Sequence, residues 1–174
     1  MTLRPWRQDD VGDLVACLDG EEDIVRWLDA IPQPYREPEA NAWIEHSSAA
    51  WREGTSAPFA VTEAASGELA GSVGFGWAGD RDERVGEVGY WMRKDLRGRG
   101  LTTRAVLLAS RWALRELGCE RLQLRADDDN VPSQRVAEKA GFTREGVLRS
   151  VHFNARRNRR VDFVMFSLLR GELD

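Results

Sequence analysis

The sequence has few of the residues with which proteins commonly bind transition metals or build a nucleophilic centre. Its two cysteines, Cys17 and Cys119, and its two histidines, His46 and His152, are spread along 174 residues. Their spacing matches no zinc site, and neither cysteine has a histidine partner in a recognisable nucleophile motif. Both cysteines stand in apolar stretches, which is typical of reduced, buried thiols in a cytoplasmic protein. We therefore expect no metal, no cysteine chemistry and a cytoplasmic location.

Long apolar runs and an excess of positive charge are also missing. No apolar run approaches the ~20 residues of a transmembrane helix, and the first residues lack the apolar core of a signal peptide. The net charge of −4 argues against a general nucleic-acid binder, because such proteins usually carry a basic surface. The length suits one domain with a full hydrophobic core. We expect a globular domain with no membrane segment and no nucleic-acid partner.

Hydrophobic periodicity and turn residues divide the chain into helices and strands. A mixed α/β sheet is indicated, because antiparallel strands come first and a strand–helix–strand unit follows. The predicted helices cover 10–18, 24–28, 37–52, 102–117 and 132–140. The predicted strands cover 2–8, 58–63, 68–77, 85–93, 121–126, a short segment from Phe142, and 161–168, with a loop over 152–160.

The sharpest local feature is the glycine-rich turn over 97–103, between a predicted strand and a predicted helix. Such a turn presents unpaired backbone N–H groups and the positive end of the helix dipole, which together suit a phosphate. Glycine also lets phosphate oxygens approach the backbone closely. A purely structural turn with solvated arginines explains the pattern equally well. The residues of the turn are Arg97, Gly98, Arg99, Gly100, Leu101, Thr102 and Thr103.

Two common phosphate-binding motifs do not fit this turn. A P-loop requires Gly-x-x-x-x-Gly-Lys-Ser/Thr, and the sequence contains no such string. A dinucleotide-binding fingerprint requires a third glycine where Thr103 stands. A nucleotide-binding protein of another fold is therefore disfavoured.

A second motif follows about thirty residues after the turn: Asn130-x-x-Ser133 and then Glu138-Lys-Ala-Gly-Phe142. The two motifs at this spacing resemble those of the GNAT acetyltransferases, and most closely the branch of ribosomal-protein N-terminal (alanine) acetyltransferases. The strand Glu87-Val-Gly-Tyr-Trp91 and the stretch Arg160-Val-Asp162 are similar to the same branch. The resemblance covers nearly the whole chain. It implies one domain over 1–174, with a mostly antiparallel sheet, a splayed parallel strand pair and flanking helices.

The resemblance implies transfer of an acetyl group from acetyl-CoA to a primary amine by direct attack. The pantetheine arm would lie between the splayed strands 85–93 and 121–126, paired with the backbone from Met92 to Lys94. The pyrophosphate would sit on the glycine-rich turn. Asn130 would hold the pantetheine amide, and Ser133 would lie near the thioester sulfur. Arg135 and Lys139 would reach the 3′-phosphate, or else form a solvated helix face.

The sequence departs from the family pattern at two positions. Asp95 stands where the family often has a phosphate donor, and an acid cannot donate there. Ala137 stands where many members have the tyrosine that protonates the leaving thiolate. The proton for the thiolate must then come from Ser133, from water or from no donor at all, and the Ser133 hydroxyl also suits a helix cap. Glu87 is the candidate general base, or else a strand residue paired with an arginine.

The acceptor pocket is expected between the N-terminal helices and the loop over 152–160. The acceptor is left open between a protein N-terminal α-amine and a small-molecule amine, and a homodimer is also left open. A catalytically inactive acyl-CoA-binding regulatory module is the alternative function. The basic cluster 155–160 is interpreted as a solvated loop or a rim for an acidic acceptor. The candidate acceptor-binding residues are Trp27, Tyr35, Trp77, Trp91, His152 and Phe153, although core packing explains most tryptophans.

Overall fold

The computed structural model describes residues 1–173, and in this part of the chain seven strands form one sheet. The strands are β1 (Thr2–Pro5), β2 (Ser56–Thr62), β3 (Leu69–Trp77), β4 (Val85–Met92), β5 (Arg121–Asp127), β6 (Thr143–Asn154) and β7 (Arg159–Leu169). The helices are α1 (Val11–Leu18), α2 (Glu22–Val25), α3 (Glu37–Glu53), α4 (Leu101–Glu116) and α5 (Val131–Lys139). The spatial order of the strands is β1-β2-β3-β4-β5-β7-β6. Within residues 1–173, no helix combines the length and apolarity needed to cross a membrane.

The strands β4 and β5 run parallel, whereas the other neighbouring strands are antiparallel. Parallel pairing joins only Val85–Glu87 to Arg121–Gln123. Both strands continue further, β4 to Met92 and β5 to Asp127. The two strands therefore separate beyond Glu87 and leave a split between them. The predicted mixed, mostly antiparallel sheet with one splayed parallel pair is confirmed.

Two hydrophobic cores lie on opposite faces of the sheet, because alternate strand residues point to opposite sides. The larger core lies between the sheet and helices α4 and α5, and includes Val88 and Leu122. The smaller core joins α1 and α3 to the β1–β4 half of the other face, and includes Leu14 and Ile44. On that face, Arg125 of β5 and Phe163 of β7 belong to neither core.

The helix after the glycine-rich turn buries small residues against the sheet. Ala105, Ala109 and Ala113 of α4 recur every four residues and are fully covered. Their size lets the helix lie close to the strands. The apolar spacing of this helix in the sequence predicts that Leu108 is buried in the same stripe; Leu108 is exposed, so that prediction was wrong.

The largest departure from the predicted elements is strand β6. The sequence indicates a short strand and then a loop over 152–160, whereas β6 extends to Asn154 and β7 begins at Arg159. Two register shifts interrupt the β6–β7 pairing, and Ser150 has a positive φ of 53°. These bulges break the period-two pattern from which strands are recognised. His152 and Phe153 consequently lie on a strand and not in a loop.

The two cysteines carry no reactive thiolate. Cys119 is buried and Cys17 is half-buried. Burial raises the pKa of each thiol to about 11, so both stay protonated near neutral pH.

Candidate active site

The glycine-rich turn forms an open cradle at the start of α4. Gly98 and Gly100 have φ values of +76° and +75°, in the left-handed region that favours glycine. A Cβ added at either position would meet no atom of the described residues within 4 Å, so both glycines face open space. Gly100 is the N-cap of α4, and no side chain in the described chain caps this helix. The N–H groups of its first turn are therefore available to an anion.

Basic side chains near the turn are tied to the surrounding structure. Arg97 donates from Nε to the Met92 carbonyl at 3.0 Å, and Asp23 lies 2.9 Å from Lys94 Nζ and 3.7 Å from Arg97 Nη1. These contacts hold the end of β4 against α2. Arg99 is exposed and forms no ion pair with the described residues.

Asp95, the acid at the position where the family often has a donor, is paired within the same turn. Its carboxylate accepts hydrogen bonds from Arg93 at 3.1 and 2.8 Å. The hydrogen bond from Arg93 lowers the pKa of the Asp95 carboxyl. The acid is thus ionised but engaged by a neighbouring cation.

The second motif places a pair of hydroxyl groups beside the split. The Asn130 side chain accepts a hydrogen bond from the Ser133 N–H at 3.2 Å and caps α5. Ser133 Oγ lies 2.7 Å from the Tyr90 hydroxyl, which also donates to the Ser133 carbonyl at 3.1 Å. Burial raises the pKa of Tyr90 to about 12, so the phenol remains protonated. The interpretation of the Ser133 hydroxyl as a helix cap was wrong, because Asn130 has that role.

Glu87 lies where the parallel pairing ends. Its carboxylate accepts a hydrogen bond from Gln123 Nε2 at 3.0 Å and two from Arg125, at 3.1 and 2.8 Å. The contacts join β4 to β5 on the face opposite α4. Of the two roles considered for Glu87, pairing with an arginine is the one found in the structure.

The backbone beside Glu87 is open on the same face. Among residues 1–173, a Cβ added at Gly89 would meet no atom within 4 Å. Trp91, two residues further on, packs against the smaller core. The alternation of β4 therefore places Glu87, Gly89 and Trp91 along one side of the split, with free space at the central position.

The β6–β7 hairpin meets the segment after α2, in the region where the acceptor pocket was predicted. His152 Nε2 lies 3.2 Å from both carboxylate oxygens of Asp29. Asp29 also accepts the Ala155 N–H at 3.0 Å, and Asn154 donates to the Arg26 carbonyl at 3.1 Å. The hairpin and the segment after α2 thus form one continuous wall of the predicted acceptor pocket.

Most arginines of the basic cluster 155–160 form ion pairs or hydrogen bonds with other residues of the protein. Arg157 bonds to Asp127 at 2.6 Å and to Asp129 at 2.5 Å, and its guanidinium lies 5.3 Å from the Trp27 ring centroid. Arg159 also pairs with Asp129. Arg156 donates to the Ile31 carbonyl and Arg160 to Ser150. These pairs hold the hairpin to the β5–α5 loop and place Trp27 in the wall.

Three of the predicted acceptor residues lie elsewhere. Trp77 donates to the Gly54 carbonyl at 3.0 Å and pairs in register with Gly86, at the end of β4 remote from the turn. Tyr35 is only 4% exposed within the smaller core. Phe153 is 50% exposed and follows His152 on a strand, so it points to the opposite face. Trp27, Trp91 and His152 remain on the acceptor side.

The two predicted ligands of the 3′-phosphate are placed on the surface of α5. Arg135 and Lys139 are both exposed. Neither forms an ion pair with another residue of the described chain. Both of the roles considered for them are compatible with this position.

Three side chains at this site were not predicted from the sequence: Tyr90, Asp29 and Arg125. Tyr90 lies inside a stretch already noted for its resemblance to a family, but nothing local marked its contact with Ser133. Asp29 and His152 are separated by 123 positions. No spacing rule connects residues so far apart, and only the strand order brings them together.

Comparison with known proteins identifies the architecture. The family model described as the acetyltransferase (GNAT) domain matches residues 1–143. An uncharacterized N-acetyltransferase of Bacillus licheniformis, p20, is 24% identical over 172 residues, which cover 99% of this chain and 94% of that protein. The fold is similar to Mycobacterium smegmatis RimJ in complex with CoA-disulfide, with a TM-score of 0.87, 21% identity and coverage of 98% and 82%.

A further similar structure is the ribosomal-protein-S5-alanine acetyltransferase of Vibrio fischeri. Its TM-score is 0.85 at 16% identity, over 99% of this chain and 94% of that one. At such identities the likeness concerns the fold, whereas the family model covers most of the sequence. The chain belongs to the acetyltransferase (GNAT) domain family and is an acetyltransferase.

Proposed function

We propose that this protein transfers the acetyl group of acetyl-CoA to a primary amine, and that the amine attacks the thioester directly. The observation that carries the proposal is the placement of the split between β4 and β5 immediately before an open helix N-terminus. Adjoining parts of the chain can therefore bind a phosphate group at the helix N-terminus and the extended pantetheine arm in the split.

The glycine-rich turn and the free edge of β4 suit coenzyme A. Its pyrophosphate fits the first-turn N–H groups of α4, with the Arg97 and Arg99 guanidinium groups and the Thr102 and Thr103 hydroxyls nearby. The pantetheine arm adds to β4 as an extra strand, where β5 has moved away. The Asn130 Nδ2 group, unbonded within residues 1–173, suits a pantetheine carbonyl. Arg135 and Lys139 suit the 3′-phosphate.

Two groups of residues would perform the chemistry. The Ser133 hydroxyl, held by Tyr90, donates a proton to the leaving sulfur. It takes over the role of the tyrosine that many family members have at the position of Ala137. Backbone N–H groups near Met92 stabilise the charge that develops on the carbonyl oxygen. Glu87 was the candidate base or else a strand residue paired with an arginine, and its three hydrogen bonds favour the structural role.

The acceptor reaches the split from the face that carries Trp27, Trp91 and His152. A peptide α-amine is our preferred acceptor, because the similar Vibrio fischeri structure is named for acetylation of an alanine of a ribosomal protein. A small-molecule amine is the alternative.

A thiol-release assay tests the proposal. Acetyl-CoA is mixed with the protein and with one acceptor at a time: peptides with N-terminal alanine or serine, spermidine, kanamycin or free alanine. We expect coenzyme A release above the rate with acetyl-CoA alone, and a mass gain of one acetyl group at the peptide α-amine. Binding of acetyl-CoA without release by any acceptor would support the inactive regulatory module instead.

A further inference from the structure

The pair formed by His152 and Asp29 lies on the acceptor side of the split, and the function derived above leaves it unused. We propose that His152 is the general base that takes a proton from the acceptor amine, with Asp29 as its positioning residue. The inference rests on the proposed acetyl transfer and deepens it by assigning the base.

The geometry fixes which ring nitrogen accepts the proton. Nε2 of His152 lies 3.2 Å from both Asp29 oxygens, so it donates to the carboxylate and leaves the lone pair on Nδ1. Nδ1 has no hydrogen-bond partner in the part of the chain that the structure describes. The His152 side chain is 39% exposed, whereas that of Asp29 is 16% exposed. An incoming amine, or one bridging water, therefore reaches the imidazole.

The ring lies on the sheet beside the split. His152 stacks on Phe163, with ring centroids 5.4 Å apart and planes 20° apart. Phe163 is the register partner of Asp127, the last residue of β5, and Arg125 lies over the same ring at 5.8 Å. This face is opposite the one on which Tyr90 and Ser133 lie. A base on one face and an acid on the other suit an amine that attacks from one side while sulfur leaves on the other.

The charged groups around His152 are otherwise engaged. Arg125 bonds to Glu87, and Arg157 bonds to Asp127 and Asp129. On β7, Asp162 accepts the Ser150 N–H at 2.7 Å. The hairpin is also anchored without the imidazole, because Ala155 donates to Asp29 and Asn154 to Arg26. A purely structural role for His152 would thus duplicate existing contacts.

The proton balance is simple. Nδ1 of His152 removes one proton from the ammonium form of the acceptor, and the freed nitrogen lone pair forms the C–N bond to the acetyl carbon. The C–S bond breaks and its electron pair leaves with sulfur. The second proton lost by nitrogen neutralises the thiolate by way of Ser133, and His152 returns its proton to water.

The test compares His152→Gln and Asp29→Asn with the parent, using acetyl-CoA and a pentapeptide amide with N-terminal alanine. The other histidine, the exposed His46 of α3, provides the matched control His46→Gln. We expect His152→Gln to lower kcat/KM by a factor of about 10² at pH 7, the low end for general base catalysis. The loss is smaller at pH 9.5, because more of the amine is already neutral. Asp29→Asn lowers kcat by a smaller factor and leaves the KM for acetyl-CoA unchanged.

Three further measurements separate a base from a structural residue. Added imidazole restores part of the rate of His152→Ala but none of the rate of Ser133→Ala. In the free protein, ¹⁵N NMR of the neutral imidazole of His152 shows hydrogen on Nε2 and a bare Nδ1. Glu87→Gln lowers the rate by the same factor at pH 7 and pH 9.5.

Several results would overturn the assignment. They are full activity of His152→Gln, an equal loss at both pH values without imidazole rescue, a protonated Nδ1 in the spectrum, or a pH-dependent loss confined to Glu87→Gln. An inactive parent with every acceptor would instead refute the acetyl transfer itself, so the two failures are distinguishable.

Discussion

At the scale of single residues, the catalytic role of Ser133 can be tested apart from helix capping, because the Ser133 hydroxyl contacts Tyr90 and Asn130 caps α5. Ser133→Ala removes a hydroxyl that bonds to Tyr90 and that caps no helix within residues 1–173. We expect turnover to fall by a factor of about 10², because a thiolate is a good leaving group and needs modest acid help. The melting temperature of the free protein should change little.

The matched variant is Asn130→Ala, which removes the observed cap of α5. A lost cap costs about 1 kcal/mol, or roughly 2–4 °C in a domain of this size. Melting curves of the two variants, and their turnover at saturating acetyl-CoA, distinguish the roles. A lower melting temperature with intact turnover in Ser133→Ala would contradict this division.

At the scale of structural elements, the turn between β4 and α4 offers a test of phosphate binding without damage to the fold. Gly100→Val is unsuitable, because a β-branched residue at a φ of +75° strains the backbone. Arg99→Ala removes an exposed cation instead. We expect the dissociation constant of acetyl-CoA to rise about tenfold, equivalent to about 1.4 kcal/mol, with unchanged melting of the free protein.

Isothermal titration at two salt concentrations measures this change, and the salt dependence should weaken together with the affinity. Arg144→Ala serves as the control, since Arg144 is exposed on β6. Equal affinities of parent and Arg99→Ala would show that Arg99 makes no contact with the phosphates.

A second element-scale prediction concerns the link between β5, β6 and β7. Glu145 on β6 accepts hydrogen bonds from Arg121 on β5, at 2.7 and 2.6 Å, and from Ser167 on β7 at 2.8 Å. The bond from Arg121, followed by that from Ser167, lowers the pKa of Glu145 from 4.5 to about 2. A lowered carboxyl pKa stabilises the fold above the unfolded value and loses that effect as pH falls through the folded value.

The stability difference between parent and Glu145→Gln should therefore be constant above about pH 5 and shrink between pH 4.5 and pH 2. Because the Glu145 side chain is 40% exposed, solvent screening limits the difference to about 1 kcal/mol or less. Urea unfolding of both proteins at several pH values measures it. A difference that grows toward pH 2 would contradict the assigned pairing.

At the scale of the whole molecule, the proposed acetyl-CoA site bridges the β4–β5 split and the start of α4. A ligand at about 100 times its dissociation constant adds about 2.7 kcal/mol to the free energy of unfolding. This corresponds to a melting shift of roughly 5–11 °C. Thermal melts with millimolar acetyl-CoA, NAD or ATP test the prediction, and a shift with NAD or ATP alone would point to a different nucleotide.

The sequence by itself determined the local features of the protein. Two glycines in the turn permit positive φ, the apolar spacing after them indicates a helix, and the strand and helix order predicts a mixed sheet. The two motifs indicate the family before any contact is known. These features depend on neighbours within a few residues, so local propensity and periodicity suffice to predict them.

Only the tertiary structure decided which side chains meet. Glu87 bonds to Arg125 across 38 positions, Tyr90 to Ser133 across 43 and His152 to Asp29 across 123. These contacts follow from strand order and register, which place β5 beside β4 and the β6–β7 hairpin against the segment after α2. The full length of β6 could not be predicted from the sequence, because its bulges interrupt the residue pattern and the strand is defined by its pairing with β7.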